Sequence, residues 1–211
     1  MNDERILALD ISSKTGWASM VSTKDGIVLK GCGILSQIHQ PEGAYPGSFV
    51  IWAKSVFEEI RKLIAVHCPD YLVIEETVAG SKAVYSQKFL EFVHFLVAQY
   101  ILENSIKSIY LLTGAWRAET GCKMSKEEST HNKEVKKYKE KNKTSVAYDI
   151  NGKRIGRLTK KHINIRRANE VFGKFFKEPL RKKDEDTCDA LLLGFCYHCR
   201  RMKEYDKSMG R

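Results

Sequence analysis

No apolar run in this 211-residue chain approaches the roughly 18 residues that cross a bilayer, so the sequence offers no membrane-spanning helix. No secretion signal is expected either. Met1-Asn2-Asp3-Glu4-Arg5 leads directly into a strand pattern rather than into an apolar signal core, and the expected location is the cytoplasm, or the nucleus. The six cysteines, at 32, 68, 122, 188, 196 and 199, lack the spacing of a disulfide framework and are expected to be reduced thiols. Cys196-Tyr197-His198-Cys199 has a zinc-like Cys-x-x-Cys spacing, but no second ligand pair accompanies it. It continues the apolar run from Ala190 to Phe195, which favours buried structural cysteines on a helix. Acid is also in short supply, with 26 Asp and Glu against 36 Lys and Arg, giving a formal charge of +10 and a pI near 9.3. That balance favours a polyanionic partner, nucleic acid or an anionic membrane surface.

What is present reads as one α/β domain over residues 1–211 with an insertion, since the length does not reach two full domains. Ile6-Leu7-Ala8-Leu9 is a continuous apolar run that suits a strand buried on both faces, and it ends on Asp10. An aspartate followed by Ser12 and Ser13 also suits a simple Asx-turn. Gly16 to Val21 and Ile27 to Leu35 read as two further strands of an antiparallel meander, and residues 36–48 as a loop. From Phe49 to His67 apolar residues recur at helical spacing, and Cys68-Pro69-Asp70 stops that helix. Tyr71 to Ile74 is a buried strand ending on Glu75-Glu76. Tyr85 to Leu102 is dense enough in Phe, Leu and Val for a helix buried on more than one side, serving the core or a dimer interface. Ser108 to Leu112 is a fifth strand. The expected architecture is a five-stranded mixed sheet flanked by helices.

The excess charge is local. Between Lys123 and Lys183 there are 20 Lys and Arg against 7 Asp and Glu, so this stretch carries +13 and the remainder −3. Lys123 to Lys143 is polar enough for a mobile loop or an exposed helix. Val146 to Leu158 reads as a hairpin turning at Asn151-Gly152, with Lys153, Arg154 and Arg157 placed to track phosphates. Ile163 to Phe172 is a short helix with Gly173 as its stop. A last helix begins near Asp184 and carries Asp186 and Asp189, three apart and therefore on one face.

Asp10 and Glu75 each end a buried strand, and Asp186 with Asp189 begins a helix able to pack beside those ends. Carboxylates gathered at one sheet edge repel, which raises their pKa values unless a multivalent cation neutralises them. All-oxygen donors select Mg2+ or Mn2+ over zinc. Two such ions about 4 Å apart serve phosphodiester hydrolysis, and the basic stretch supplies a surface for the polyanion. Alternation places Glu75 on Val73's face and Glu76 on Ile74's, and does not decide which face meets the metal.

Ile6-Leu7-Ala8-Leu9-Asp10 with Ser13 and Thr15-Gly16-Trp17, then Tyr71 to Glu75, then Asp186-Thr187-Cys188-Asp189-Ala190-Leu191, resembles the RuvC family of Holliday junction resolvases, of the ribonuclease H-like superfamily. The chain is more similar to the divergent phage and viral branch than to the bacterial one, and only residues 118–160 fall outside the resemblance. The resemblance implies a homodimeric endonuclease that nicks four-way DNA junctions in two opposing strands. It implies Asp10, Glu75, Asp186 and Asp189 as catalytic metal ligands for two Mg2+ or Mn2+ ions per subunit. It also places Lys160, Lys161 and His162 near the scissile phosphate, with Ser13 and Lys14 as further DNA contacts. Bacterial members carry Pro-Gly-Ser where this chain has Ile11-Ser12-Ser13, and a phenylalanine where it has Val78. Three other readings remain at this stage: a related nuclease acting on hybrid or flapped substrates, an actin-like phosphotransferase, and a non-catalytic DNA-binding protein.

Overall fold

The structure is a computed structural model that describes residues 2–35, 38–39, 41–76, 84–148 and 154–210. Three strands open it, β1 (Glu4–Asp10), β2 (Gly16–Thr23) and β3 (Gly26–Ile34), joined as an antiparallel meander. Helix α1 (Gly47–His67) leads to β4 (Tyr71–Glu75), and α2 (Val84–Glu103) to β5 (Lys107–Leu111). Both helical crossovers deliver parallel strands, and the sheet order is β3-β2-β1-β4-β5. The remainder supplies α3 (Thr113–Glu119), α4 (Lys126–Lys141), a ribbon of β6 (Ala147–Tyr148) and β7 (Arg154–Ile155), α5 (Lys160–Phe172) and α6 (Glu185–Ser208). The expected mixed sheet between helices is present.

The apolar run of β1 is explained by its central place. Ile6 and Ala8 face a layer built from α6, α3 and α5, where Leu191, Leu192, Trp116 and Phe172 lie. Leu7 and Leu9 face the opposite layer, formed by Ala53, Val56 and Ile60 of α1 and Phe89, Val93 and Val97 of α2. All four strand residues are sealed from water, each large one stabilising the fold by about 1.5–3 kcal/mol. Helix α1 stops as expected, with Cys68 in the left-handed region at φ 41° and its N–H bonded to the Ile64 carbonyl at 2.9 Å. At the far end of β1, Glu4 accepts hydrogen bonds from Arg201 (2.7 and 2.9 Å) and Tyr197 (2.7 Å), fastening α6 along the sheet.

Three expectations are corrected. Helix α2 is buried on one stripe only, Phe89, Val93, Val97 and Ile101, while Tyr85, Phe95 and Leu102 are exposed. No layer lies beyond it among the described residues, so its second apolar face meets solvent. Gly173 is not a left-handed stop: its φ is −52°, and α5 tightens into a 3-10 turn over Gly173–Phe175. Helix α5 also starts earlier than Ile163, because Thr159 and His162 cap it at Lys160. Lys123 to Lys143 resolves as the exposed helix α4, begun by a capping box between Ser125 and Glu128. The ribbon strands pair as expected, whereas the Asn151-Gly152 turn and Lys153 lie outside the described residues.

Candidate active site

Strand period two brings the carboxylates to one side. Asp10 continues the face of Ile6 and Ala8, and Glu75 that of Val73, all packed toward α6. Because β1 and β4 are parallel with Leu9 opposite Ile74, Asp10 and Glu75 leave the sheet side by side. This settles the pair at positions 75 and 76. Glu76 is exposed, and its N–H donates to the Leu111 carbonyl at 2.9 Å, continuing the sheet past Glu75.

The turn after β1 is made without Asp10. Ser12 and Thr15 close it: the Thr15 hydroxyl donates to the Ser12 carbonyl at 2.7 Å and accepts from the Ser12 N–H at 3.2 Å. The Asx-turn reading therefore fails among the described residues, and the Asp10 carboxylate is left for another role. The turn ends at Gly16, where a β-carbon would lie 2.0 Å from the Asp186 carbonyl oxygen. Only glycine lets α6 begin against β2, and that approach brings Asp186 and Asp189 to the end of β1.

The electrostatics record the crowding. Burial pushes the Asp10 carboxyl well above the usual range, and the charges of Glu75, Asp189 and Asp186 together with a hydrogen bond to Glu75 push the same way. Asp189 is pushed up to about 6, by burial first, even though Asn164 and Arg117 pull it down. Asp186, half-buried, is raised by burial, and Lys161 and Lys14 oppose that shift. The Asn164 amide donates to Asp189 Oδ1 at 2.7 Å, and Arg117 stands 3.8 Å from Asp189 Oδ2. Glu75 accepts from the Thr113 hydroxyl and from Trp116 Nε1 at 3.3 Å. No three His, Cys, Asp or Glu side chains close into a ready-made metal cage among the described residues. Asp10, Glu75 and Asp189 form the inner group, with Asp186 one turn earlier on α6.

The expected basic residues divide. Ser13 and Lys14 are exposed at the tip of the first turn, and Lys161 pairs with Glu185 next to Asp186. Lys160 lines a cavity of about 330 Å³ together with Thr113, Arg117, Cys122 and Lys123. His162 is exposed at the start of α5, where its Nδ1 accepts from the Thr159 N–H at 3.2 Å and caps the helix. Arg154 and Arg157 are exposed on and after the ribbon. Val78, like Lys153, lies outside the described residues.

Four members were missed from sequence: Thr113, Trp116, Arg117 and Asn164. Thr113 carried a usable signal, since it is two residues past Leu111 on the face that packs toward α6. The others come from helices whose angle to the sheet no local pattern specifies.

No family model and no curated protein sequence matches this chain. Solved structures do. Thermus thermophilus RuvC in complex with a Holliday junction substrate aligns with a TM-score of 0.61 at 9% identity, covering 94% of this chain and 96% of that one. A second Thermus thermophilus RuvC structure aligns at 0.55 and 12% identity with the same coverage. At such identities the likeness establishes a shared fold along nearly the whole length of both chains.

Proposed function

We propose that this chain is a metal-dependent, structure-selective DNA endonuclease that resolves four-way junctions by paired symmetric nicks. The observation that carries the reading is the gathering of Asp10 and Glu75 at adjacent parallel strand ends with Asp189 of α6 beside them, in a fold shared with a protein solved on a Holliday junction. Asp10 and Asp189, buried and held above their normal pKa, form a costly arrangement in a metal-free chain, and a divalent cation relieves it.

The residues fit such an ion. The donors are all oxygen, Asn164 Oδ1 is buried without a protein partner beside them, and Asp189 and Glu75 are each oriented by neighbouring donors. Asp10, Glu75 and Asp189 would hold it, with Asp186 completing the set for two Mg2+ or Mn2+ ions per subunit. Bound ions supply an activated water and stabilisation of the leaving oxygen. The chain's own contribution is orientation and charge. Thr113 and Trp116 fix Glu75, and Asn164 fixes Asp189. Arg117, packed over the Trp116 ring at 4.9 Å, places a guanidinium where a phosphate next to the carboxylates would lie. Lys14 and Lys161 add positive charge beside Asp186.

Paired nicks call for two copies. The exposed apolar face of α2 supports a homodimer, because Phe92, Phe95 and Leu96 with Tyr45 and Val50 line an open cavity of about 510 Å³. In this reading residues 1–211 act as one nuclease domain, with 118–160 inserted in it.

The test is cleavage of an immobile four-way junction beside duplex, flap and RNA–DNA hybrid controls, with wild type and Asp10→Asn, in Mg2+, Mn2+ and chelator. Symmetric nicks in the junction that require both metal and Asp10 are expected. Cutting of flap or hybrid with the junction left intact would remove the substrate assignment, and binding without cutting in either metal would remove the enzymatic one.

A further inference from the structure

The helix–ribbon module between α3 and α5 is a folded unit. Val135 of α4 and Ala147 of β6 are sealed from solvent. The Asn132 side chain grips the backbone of Leu158 on both sides, accepting from its N–H at 2.7 Å and donating to its carbonyl at 3.0 Å. His131 meets the Gly156 carbonyl at 2.9 Å. The module is bolted to α5 by Arg166, which donates to Glu128 at 2.9 and 3.2 Å and to the Lys123 carbonyl at 2.9 Å. Arg166 lies two residues after Asn164, the partner of Asp189, so the module sits on the same helix that braces the carboxylates.

The outer surface of α4 is predominantly basic. With Asn132 and Val135 inward, Lys126, Lys133 and Lys137 point the opposite way and Lys141 follows one turn on. All four are exposed and none forms an ion pair among the described residues. Three of the helix's four acids already have partners: Glu127 accepts from the Ser125 hydroxyl, Glu128 takes Arg166, and Glu140 pairs with Lys136 at 3.6 Å, while Glu134 is exposed beside the ridge. Lysines four apart oppose the helix they sit on, and among the described residues Lys133, Lys137 and Lys141 have no ion-pair partner to relieve that repulsion. A polyanion would. The ridge from Lys126 to Lys141 runs about 22 Å along the helix axis, a length over which one strand of duplex DNA presents roughly six phosphates.

We infer that the outer face of α4 is a second DNA-binding surface, the Lys126–Lys133–Lys137–Lys141 ridge gripping the phosphates of a duplex arm that leaves the cleavage site. It holds the substrate without touching the reacting atoms. The inference rests on the endonuclease reading for its substrate, but its test separates the two.

The four lysines are changed to Gln together, and separately to Arg, in the full chain carrying Asp10→Asn. Binding to a junction with long arms, to one with arms shortened to the crossover region and to plain duplex is followed by fluorescence anisotropy between 50 and roughly 300 mM salt. Four released counterion contacts predict that the slope of log K against log salt becomes shallower by about 3–4 in the Gln variant. The Arg variant keeps the wild-type slope, and the short-arm junction shows no difference between variants. In the Asp10-containing background, single-turnover cleavage at saturating protein stays within about twofold of wild type. Circular dichroism melting confirms that the Gln variant is folded. An unchanged slope in a folded Gln variant overturns the inference. A slope change on plain duplex by a chain that cuts no junction upholds this surface and overturns the substrate assignment alone.

Discussion

Two residues that touch no substrate decide whether the site exists. Gly16 is required by a close approach, not by a turn, because a β-carbon there collides with the Asp186 backbone. Gly16→Ala is expected to destabilise the chain by about 2–3 kcal/mol as α6 is pushed off the sheet. It should also weaken Mn2+ binding, which urea melts and metal titration measure together; a variant with wild-type stability and affinity contradicts the close-approach argument. Asn164 is the second. It braces Asp189 from α5, and Asn164→Ala is expected to lower divalent-metal affinity by about 10–100-fold. Calorimetric titration reads that directly, and unaltered affinity would show Asp189 to be held by α6 alone. Legibility at this scale is uneven. Asp10, Glu75, Asp186 and Asp189 were readable because each ends a strand or begins a helix. Asn164 was not, since an asparagine inside a helical pattern carries no mark of what crosses over it. His162 carries a double signal for a related reason: a basic residue near a helix start suits a phosphate, and in this fold it also caps α5.

At the scale of elements, β1 and α2 are both apolar runs with opposite fates. The four buried positions of β1 are used on both faces. The composition of α2 predicts a helix buried on more than one side, in the core or at a dimer interface, yet within one chain only its stripe toward α1 and the sheet is covered. Hydrophobicity reports how much burial a segment can use, and only the count of layers around it says how much this chain supplies. Phe95→Asp is expected to leave monomer stability within about 0.5 kcal/mol, since the side chain is 66% exposed. On the proposed homodimer, light scattering should then report a monomer for this variant and a dimer for the wild type. A Phe95→Asp chain that stays dimeric would move the interface off this helix.

The whole molecule carries a conditional stability. Asp10 and Asp189 titrate above the value of about 3.9 they have unfolded, Asp189 at about 6. The metal-free fold binds their protons more tightly than the unfolded chain does, so their contribution is full below about pH 4 and is lost as pH rises, for Asp189 through about 6. Asp189 alone accounts for about 2–3 kcal/mol of this. Buried His198, whose pKa burial lowers, acts in the opposite direction as pH falls, so the metal-free melting temperature is not itself the readout. The informative quantity is the increase in melting temperature on adding Mn2+, expected to be larger at pH 8 than at pH 5. An increase that is equal at both values would show that protons and metal do not compete for these groups.

The placement of α6 has a temporal consequence. Asp10 and Asp189 stand 179 positions apart, and the helix bearing the second also seals the face of β1 that bears the first. During synthesis the meander, both crossovers and the lysine-rich module emerge before that helix does. A nascent chain can therefore present a surface that attracts DNA while lacking half of its carboxylates. Completion of the hydrophobic interior and arming of the chemistry become a single event, and a chain arrested before Glu185 should hold nucleic acid without being able to cut it.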